Sequence, residues 1–311
     1  MAIAKPRFRR ATKSDRRPLT ALGAASILSL VLVGFSPVST PASAVPLLSA
    51  PTAASASLRY EVGVPEGTRL RVHYGDIVVT RAGTVIDSLD VRGLITIKAP
   101  DVVIKNSIVR GRVVDGNSAL ISNYRSGAKF TVINSELIAD HRSPYINGII
   151  GSNFTVRNSE ISRVVDAVHI TGSNVTIEKS WFHYHLHFLR DPNHRGTPSH
   201  DDSIQVQSGN NIRIAGNILT GPHNAVLQIT QDTGAVSNVT FTGNRVDNGH
   251  CSLNISEGDR SSIQGLTVSN NTFGRNTGHP NCAIVAPDTT RIAMSANTFR
   301  DNGQAIWIFG K

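Results

Sequence analysis

The stretch "FTVINSEL" at residues 130–137 returns almost unchanged as "FTVRNSEI" at residues 154–161. Both copies place apolar residues at positions 1, 3 and 8 and a small polar residue at position 6. Six more copies of this eight-residue pattern occur along the chain: "VVIKNSIV" at 102–109, "VTIEKSWF" at 175–182, "IRIAGNIL" at 212–219, "VTFTGNRV" at 239–246, "LTVSNNTF" at 266–273 and "IAMSANTF" at 292–299. A repeat that recurs through most of the chain is the strongest indication of its fold.

The sixth position of the repeat is Ser or Asn in every copy: Ser107, Ser135, Ser159, Ser180, Asn217, Asn244, Asn271 and Asn297. Successive copies are 21 to 37 residues apart, with short strands and turns of Gly, Asn and Asp between them. This pattern predicts an all-β fold, a single parallel β-helix of about nine to ten coils. Leucine-rich repeats have similar periods, but the regular leucines and helical segments that they need are missing.

Equivalent residues in successive coils of a β-helix lie about 4.8 Å apart along the axis. We therefore expect the Ser and Asn side chains at position 6 to form a ladder, each hydrogen-bonded to the next coil.

A second strand can be aligned from coil to coil: "GIIG" at 148–151, "AVHI" at 167–170, "SIQV" at 203–206, "AVLQI" at 225–229, "SLNI" at 252–255, "AIVA" at 283–286 and "AIWI" at 305–308. Its outward-facing column is predicted to contain Ile150, His169, Gln205, Gln228, Asn254, Val285 and Trp307. Four consecutive members of this column can hydrogen-bond. Such a run indicates the floor of a groove that binds hydroxyl groups.

The two cysteines, Cys251 and Cys282, precede this second strand in adjacent coils. The stacking distance lies within the Cα separation that a disulfide requires, so we expect them to be bridged. A disulfide also agrees with export from the cell.

The N-terminal segment has the composition of a secretory signal peptide, with a basic start, the apolar run 19–35 and the small residues of "PASA" before the expected cleavage after Ala44. We therefore divide the chain into a signal peptide at 1–44, a linker at 45–57 and the β-helix domain at 58–311. The mature protein is expected to be extracellular and not bound to a membrane.

The basic charge of the whole chain belongs mostly to this segment. Seven of 31 basic residues and one of 22 acidic residues lie in 1–44, which leaves 24 against 21, or +3. So small a charge does not indicate a nucleic-acid partner. The sequence does not indicate an oligomeric state.

One coil is much longer than the others, and its excess is "FHYHLHFLRDPNHRGTPSHDD" at 182–202. Long insertions on a repeat scaffold often carry function. His183, His185 and His187 alternate with other residues, which predicts that they share the outer face of an extended strand. Three metal ligands at this spacing are awkward on one ion, so a metal site is not favoured here.

Acidic residues precede the second strand on both sides of the insertion. The residues expected to gather at the groove edge are Asp166, Asp201, Asp202, Asn224, His169 and His223. One Asp or Asn before a strand is ordinary turn chemistry. Several in consecutive coils favour a functional site, because stacked carboxylates repel unless a proton, a cation or a substrate offsets their charge.

The order "VVDAVHI" at 164–170, "HDDSIQVQSGNNI" at 200–212 and "GPHNAVLQIT" at 221–230 resembles the polygalacturonase family, within the pectin-lyase-like superfamily of right-handed parallel β-helices. The resemblance implies hydrolysis of a polysaccharide. It implies Asp201 as the general acid, Asp166 and Asp202 as the pair that activates water, and His223 as a support for the acid. The family's Arg-x-Lys would fall near Asn254, where this chain has no cation.

The residues themselves also allow glycoside hydrolysis, since this reaction needs one protonated and one ionised carboxyl group. Side chains expected to bind an extracellular polysaccharide are His169, Gln205, Gln228, Asn254, Lys179, Arg190 and His200. No cofactor is required for this reaction.

Two alternatives remain open at this point. A polysaccharide lyase would use Asp166, Asp202 and Asn224 to hold Ca²⁺, with His169, Lys179 or Arg190 as the base. A non-catalytic carbohydrate-binding or surface protein would keep the β-helix without needing the aspartates.

Overall fold

Three parallel β-sheets wind around one core in the computed structural model, which describes residues 62–310. The predicted signal peptide, the linker, residues 58–61 and residue 311 lie outside the described residues. No helix in the described part of the chain is long and apolar enough to cross a membrane.

Each coil contributes one strand to each sheet in turn, except that the last coil of the described residues adds none to sheet C. Sheet A contains Arg71–Tyr74 (β1), Leu89–Arg92 (β4), Ile108–Val109 (β7), Glu136–Ile138 (β10), Glu160–Ser162 (β13), Trp181–His183 (β16), Ile218–Leu219 (β18), Arg245–Val246 (β21), Thr272–Phe273 (β24) and Thr298–Phe299 (β27). These ten strands represent ten coils, which confirms the predicted parallel β-helix and its size.

Sheets B and C are joined by one long strand, Asp202–Ala215 (β17), which runs from the first into the second. Sheet B contains Ile77–Val79 (β2), Ile95–Ile97 (β5), Ser118–Ser122 (β8), Ile146–Gly151 (β11), Val168–Thr171 (β14), the start of β17, Ala225–Ile229 (β19), Leu253–Ile255 (β22), Ile284–Ala286 (β25) and Ile308–Gly310 (β28). Sheet C contains Val85–Asp87 (β3), Val102–Lys105 (β6), Phe130–Ile133 (β9), Phe154–Arg157 (β12), Val175–Glu178 (β15), the end of β17, Val236–Thr242 (β20), Gln264–Ser269 (β23) and Ile292–Ser295 (β26).

The eight-residue repeat turns out to be two strands and the bend between them. Its first four residues form or end a strand of sheet C, and its last residues begin or form a strand of sheet A. The fifth residue makes the bend with a positive φ: Asn106, Asn134, Asn158, Lys179, Gly216, Gly243, Asn270 and Ala296. Asn and Gly tolerate this left-handed conformation best, which explains why they fill six of these eight places.

Position 8 of the repeat lines the core. In sheet A the residues in register are Val91, Val109, Leu137, Ile161, Phe182, Leu219, Val246, Phe273 and Phe299, all at most 1% exposed. One apolar column therefore runs through nine coils, and hydrophobic burial acts between every pair of neighbours.

The predicted Ser and Asn ladder is present and buried. Each backbone N–H at position 6 donates to the side-chain oxygen of the same position in the next coil, from Ser107 to Ser135 Oγ (3.2 Å) through to Asn271 and Asn297 Oδ1 (3.1 Å). Side chains of the ladder bond to one another only in the Asn part, where each amide also donates to a backbone carbonyl of the preceding coil, such as Asn244 Nδ2 to Ile214 O (3.1 Å). The serines instead donate back to the carbonyl two residues before them.

A shorter ladder, not predicted from the sequence, lies at the bend between sheets B and C. Asn174 Nδ2 donates to Asn153 Oδ1 and Asn211 Nδ2 donates to Asn174 Oδ1, both at 3.0 Å. All three asparagines have a positive φ. The bend between sheets B and C therefore uses asparagine, as the bend between sheets C and A does, because asparagine tolerates a positive φ.

The outward column of sheet B is confirmed from Ile150 to Val285. The pairs in register are Ile150 with His169, His169 with Gln205, Gln205 with Gln228, Gln228 with Asn254, and Asn254 with Val285.

The prediction that Trp307 is the last member of this column is wrong. Val285 lies opposite Phe309, and the strand is Ile308–Gly310 rather than 305–308. After β27 the chain turns back, with an antiparallel bridge between Thr298 and Ala305, so the strand starts later than the apolar pattern indicates.

The predicted disulfide is confirmed. Cys251 and Cys282 are bonded with a Cα separation of 4.7 Å, close to the strand spacing of a sheet. They stand in adjacent coils because Leu253 pairs with Ile284, two residues after each cysteine.

Asn244→Ala is expected to lower the free energy of unfolding by about 2 to 4 kcal/mol, because it leaves the buried Asn217 N–H and Ile214 carbonyl without their side-chain partner. Asn210→Ala, at an exposed asparagine, is the matched control and should change stability by less than about 0.5 kcal/mol. Urea unfolding followed by circular dichroism measures both. Equal stabilities of the two variants would contradict a supporting role for the ladder.

Candidate active site

A polar groove of about 500 Å³ lies on the outer face of sheet B, beside the insertion. The sheet supplies its floor through His169, Gln205 and Gln228. Its wall comes from Asp191, Asn193, His194 and His200 of the insertion. The groove therefore lies where the outward column and the long coil meet.

Asp166 and Asp202 line this groove in adjacent coils. Both side chains are almost fully buried, and Asp166 Oδ1 accepts the backbone N–H of Asp202 at 2.9 Å. Burial, opposed by that backbone bond and assisted by nearby Asp201 and Asp191, raises the pKa of Asp166 to about 7. Burial and the charge of Asp166 raise the pKa of Asp202 well above its ordinary value. At neutral pH the pair therefore retains protons that exposed aspartates would have lost.

His169 stands next to this pair. Its Nδ1 lies 3.6 Å from Asp166 Oδ2, too far for a good hydrogen bond, and burial lowers the pKa of His169 to about 4. Both of its ring nitrogens are buried, and the side chains of Asp166 and Gln207 lie beside the ring. At neutral pH it is an uncharged imidazole, with one donor nitrogen and one acceptor nitrogen.

Asn224 contacts Asp202, but in a different register from the one predicted. Asp202 pairs with Ala225 in the sheet, and the Asn224 N–H donates to the carbonyl of Asp201. The column is restored by the side chains, since Asn224 Nδ2 donates to Asp202 Oδ1 at 2.8 Å. The extra residue in "AVLQI" accounts for the shift.

This contact bears on the calcium alternative. Asn224 directs its amide nitrogen at Asp202, and its other neighbour, Gln228 Oε1 at 3.5 Å, is also an acceptor. The expected set of three oxygen ligands is therefore not formed. The arrangement does not fit the calcium site expected of a lyase.

Asp201 does not line the groove, although the sequence places it beside Asp202. Its carboxylate is fully buried and accepts from His187 Nδ1 at 2.6 Å, from His223 Nδ1 at 3.1 Å and from the His223 backbone N–H at 2.8 Å. The two imidazole rings stack with centroids 4.0 Å apart. A carboxylate held this way cannot reach a glycosidic oxygen in the groove, so the general-acid role expected of Asp201 does not fit its position. His223 contacts Asp201 as expected.

The three alternating histidines do not share a solvated strand face, so that prediction is wrong. The strand ends at His183, and Tyr184 has a φ of 49°. His183 Nε2 bonds with Glu160 at 2.9 Å, and His185 is buried between the Val165 carbonyl and Ser203 Oγ. Three histidines thus serve three separate contacts, because the left-handed bend breaks the alternation.

The insertion is anchored as a small hairpin beside the groove. Asp191 and Thr197 form an antiparallel bridge around the 3-10 helix Pro192–His194, and buried Asp191 accepts from Ser199 Oγ at 2.7 Å. Asn193 Nδ2 donates to the Pro144 carbonyl, which ties the hairpin to the preceding coils. The rings of His194 and His200 stack with centroids 4.1 Å apart. Burial, and secondly the neighbouring His194, lower the pKa of His200.

Three predicted sugar-binding residues lie elsewhere. Lys179 occupies the bend between sheets C and A, and Arg190 is exposed on the insertion outside the groove lining. Asn254 continues the outward column one coil beyond Gln228 but is not among the residues that line the groove. The structure brings together Asp166, Asp202, His169, Gln205, Gln228 and His200.

Comparison with known proteins supports the fold. Residues 192–311 match the sequence family described as "Right handed beta helix region". The chain is a right-handed parallel β-helix. No curated protein matches its sequence.

One solved structure matches this β-helix, the A-module of mannuronan C-5 epimerase AlgE6 from Azotobacter vinelandii. The two share 15% sequence identity, and the match covers 73% of this chain and 61% of that module. With a TM-score of 0.30, the likeness adds nothing to the assignment of a function.

Several groove residues of the β-helix were missed by the sequence reasoning. Gln207 follows Gln205 by two places in β17, so strand alternation could have found it. Thr230 and Asp232 follow β19 and interact with each other, Thr230 Oγ1 donating to Asp232 Oδ2 at 2.7 Å. Asp191 had no such signal, because nothing in the sequence fixes the path of the insertion.

Asp166→Asn is expected to stabilise the β-helix at pH 8 by about 4 kcal/mol and to have little effect near pH 4. The pKa of Asp166 in the folded protein is raised to about 7, so ionising it costs stability increasingly from about pH 4 to pH 7 and fully above pH 7. The amide keeps the oxygen that accepts the Asp202 N–H. Asp232→Asn, at an exposed carboxylate of the same groove, is the control. Urea unfolding at both pH values tests this, and equal effects at pH 4 and pH 8 would contradict it.

Asp201→Asn is expected to destabilise the protein at pH 7 by about 2 kcal/mol, because one of the two imidazoles then loses a buried acceptor. The same Asp232→Asn variant is the control for loss of one carboxylate. Thermal unfolding measures the difference. If Asp201→Asn were as stable as the control but inactive, Asp201 would act on substrate after all.

Proposed function

We propose that the protein is a secreted polysaccharide-cleaving enzyme, a glycoside hydrolase in which Asp166 and Asp202 supply the acid and the base. The observation that carries this proposal is the position of two buried aspartates of raised pKa in one polar groove, on adjacent coils. Titratable groups with strongly shifted pKa values in a cleft are characteristic of catalytic sites.

The pair can provide both roles from one residue type. When one aspartate has lost its proton, its charge makes loss of the second proton harder, so the two groups stay in opposite protonation states over a range of pH. The protonated group donates its proton to the glycosidic oxygen as that bond breaks. The ionised group takes a proton from the water that attacks the sugar carbon. The products are two chains, one of which has a new reducing end.

The neighbours of the pair have roles that fit a sugar substrate. His169, Gln205 and Gln228 line the floor with donors and acceptors for hydroxyl groups. Asn224 holds the Asp202 carboxyl in place through its 2.8 Å hydrogen bond.

Hydrolysis is favoured over β-elimination by the charges of the groove. A lyase must neutralise the carboxylate next to the proton that it removes. Among the described residues that line the groove there is no Lys or Arg, and Asn224 presents its amide nitrogen rather than its oxygen to Asp202. A lyase acting on a uronate would have no counter-charge from the protein here.

Export is part of the proposal and is supported by two features. Residues 1–44 have the composition of a signal peptide, and the Cys251–Cys282 disulfide suits an oxidising compartment. An extracellular polysaccharide is the expected partner, without nucleic acid, membrane or cofactor.

The test is incubation of the mature protein with neutral and acidic polysaccharides, each with added calcium or with a chelator. New reducing ends without ultraviolet absorbance are expected, unaffected by the chelator. Asp166→Asn and Asp202→Asn should each lower turnover by at least about 100-fold, while Asp259→Asn, at an exposed carboxylate outside the groove, remains active.

Other outcomes would overturn the assignment. An unsaturated, absorbing product that requires calcium would identify a lyase. Binding without any product across the panel would identify a non-catalytic carbohydrate-binding protein. Full activity of Asp202→Asn would remove the pair from the mechanism.

A further inference from the structure

The groove does not end at the carboxyl pair. A second cavity of about 490 Å³ lies toward the N-terminal coils and shares Asn117, His169 and Gln207 with the first. Shared lining residues mean that the two cavities form one continuous channel over sheet B. The channel is longer than a single sugar unit needs.

The floor of this extension follows the same outward column. Thr96, Ser122 and Ile150 lie in register with one another and with His169, and all of them line the second cavity. Successive members of the column lie about 4.8 Å apart. A bound polymer that followed this column would therefore run along the axis of the β-helix.

An exposed tyrosine lines this part of the channel. Tyr124 follows strand β8, lines the second cavity and is 60% exposed. It lies two coils from His169, or about 10 Å along the axis at the spacing of strands in a sheet. An exposed aromatic ring with a hydroxyl group presents an apolar face and a hydrogen-bonding edge, which suit the two faces of a sugar ring.

The cleavage part of the channel is acidic. Its lining includes Asp166, Asp191, Asp202 and Asp232, and no Lys or Arg is found among the described residues that form it, whereas the second cavity includes Arg125 beside Tyr124. A sugar carboxylate placed there would meet like charges and no counter-charge. The uncharged His169 and the amides of Gln205 and Gln228 line the same part of the channel and add no positive charge to it.

We propose that the channel binds a polysaccharide chain lying along the helix axis, with Tyr124 as a stacking platform about two coils from the carboxyl pair. The chain is uncharged at the sugars that face the aspartates. The inference rests on the proposed function only in assuming that the ligand is a polysaccharide, since binding is measured separately from cleavage.

The first experiment measures binding to Asp202→Asn protein, in which the chain is held without being cut. The probes are neutral polysaccharides and the same polymers oxidised to carboxylates at C6, compared by affinity electrophoresis. At least one neutral polymer should bind, and its oxidised form should bind at least tenfold more weakly. Binding of the neutral polymer should be unchanged by 0.5 M salt, because no ion pair is involved.

The second experiment tests the platform. Tyr124→Ala in the same background should weaken binding of chains long enough to reach both cavities by about tenfold, and should leave short oligosaccharides unaffected. Tyr124→Phe should bind like the parent, because it keeps the ring. Tyr74→Ala removes a tyrosine that is 82% exposed on sheet A, outside the channel, and should change nothing.

The outcomes separate this inference from the proposed function. If Tyr124→Ala and Tyr74→Ala bind long chains equally well, or if oxidised polymers bind as tightly as neutral ones, the inference is overturned while hydrolysis stands. If neutral chains bind with the expected Tyr124 dependence but wild-type protein releases no reducing ends, hydrolysis fails and the inference stands. If no polysaccharide binds, the inference is wrong.

Discussion

The rest of this structure depends on the hydrogen bonding of parallel strands in register, which stacks every coil on the next at the spacing of a β-sheet. Once two coils are paired, each side chain lies over its equivalent in the neighbouring coil. Apolar residues at position 8 then form one core column, and position 6 becomes a buried ladder. A polar residue would be costly there, but each ladder oxygen accepts the N–H of the coil before it. Ser and Asn are therefore tolerated inside because they satisfy the backbone at the bends.

The same constraint creates the chemistry of the groove. Stacking brings Asp166 beside Asp202 whether or not their charges favour it, and the surrounding coils bury both. Two acidic groups in a buried site cannot both ionise easily, so their pKa values rise. At neutral pH the raised pKa values lower the stability of the fold, and they keep a proton on the carboxyl pair. This conflict between folding and ionisation is typical of a functional site.

The insertion changes what the regular coil can do. It adds a wall to an otherwise open sheet face, and its histidines settle into separate contacts instead of a common face. His187 and His223 enclose Asp201, which moves that carboxylate out of the groove and leaves Asp202 in it. The three coils that the resemblance to polygalacturonases singled out meet at the groove, but the roles of adjacent aspartates depend on which way each side chain is held.

The sequence by itself determined the fold, because a β-helix repeats the same short pattern of apolar and small polar residues from coil to coil. The ladder positions, the disulfide and the outward column from Ile150 to Val285 follow from spacing alone. Predictions from the repeat spacing failed where the repeat is interrupted. One place is the last coil, where the chain turns back before β28. The other is the insertion, whose path is not set by any repeat. Only the tertiary structure decided which carboxylates face the groove and which face histidines. That choice depends on bends, burial and long-range contacts, which leave no periodic trace in the sequence.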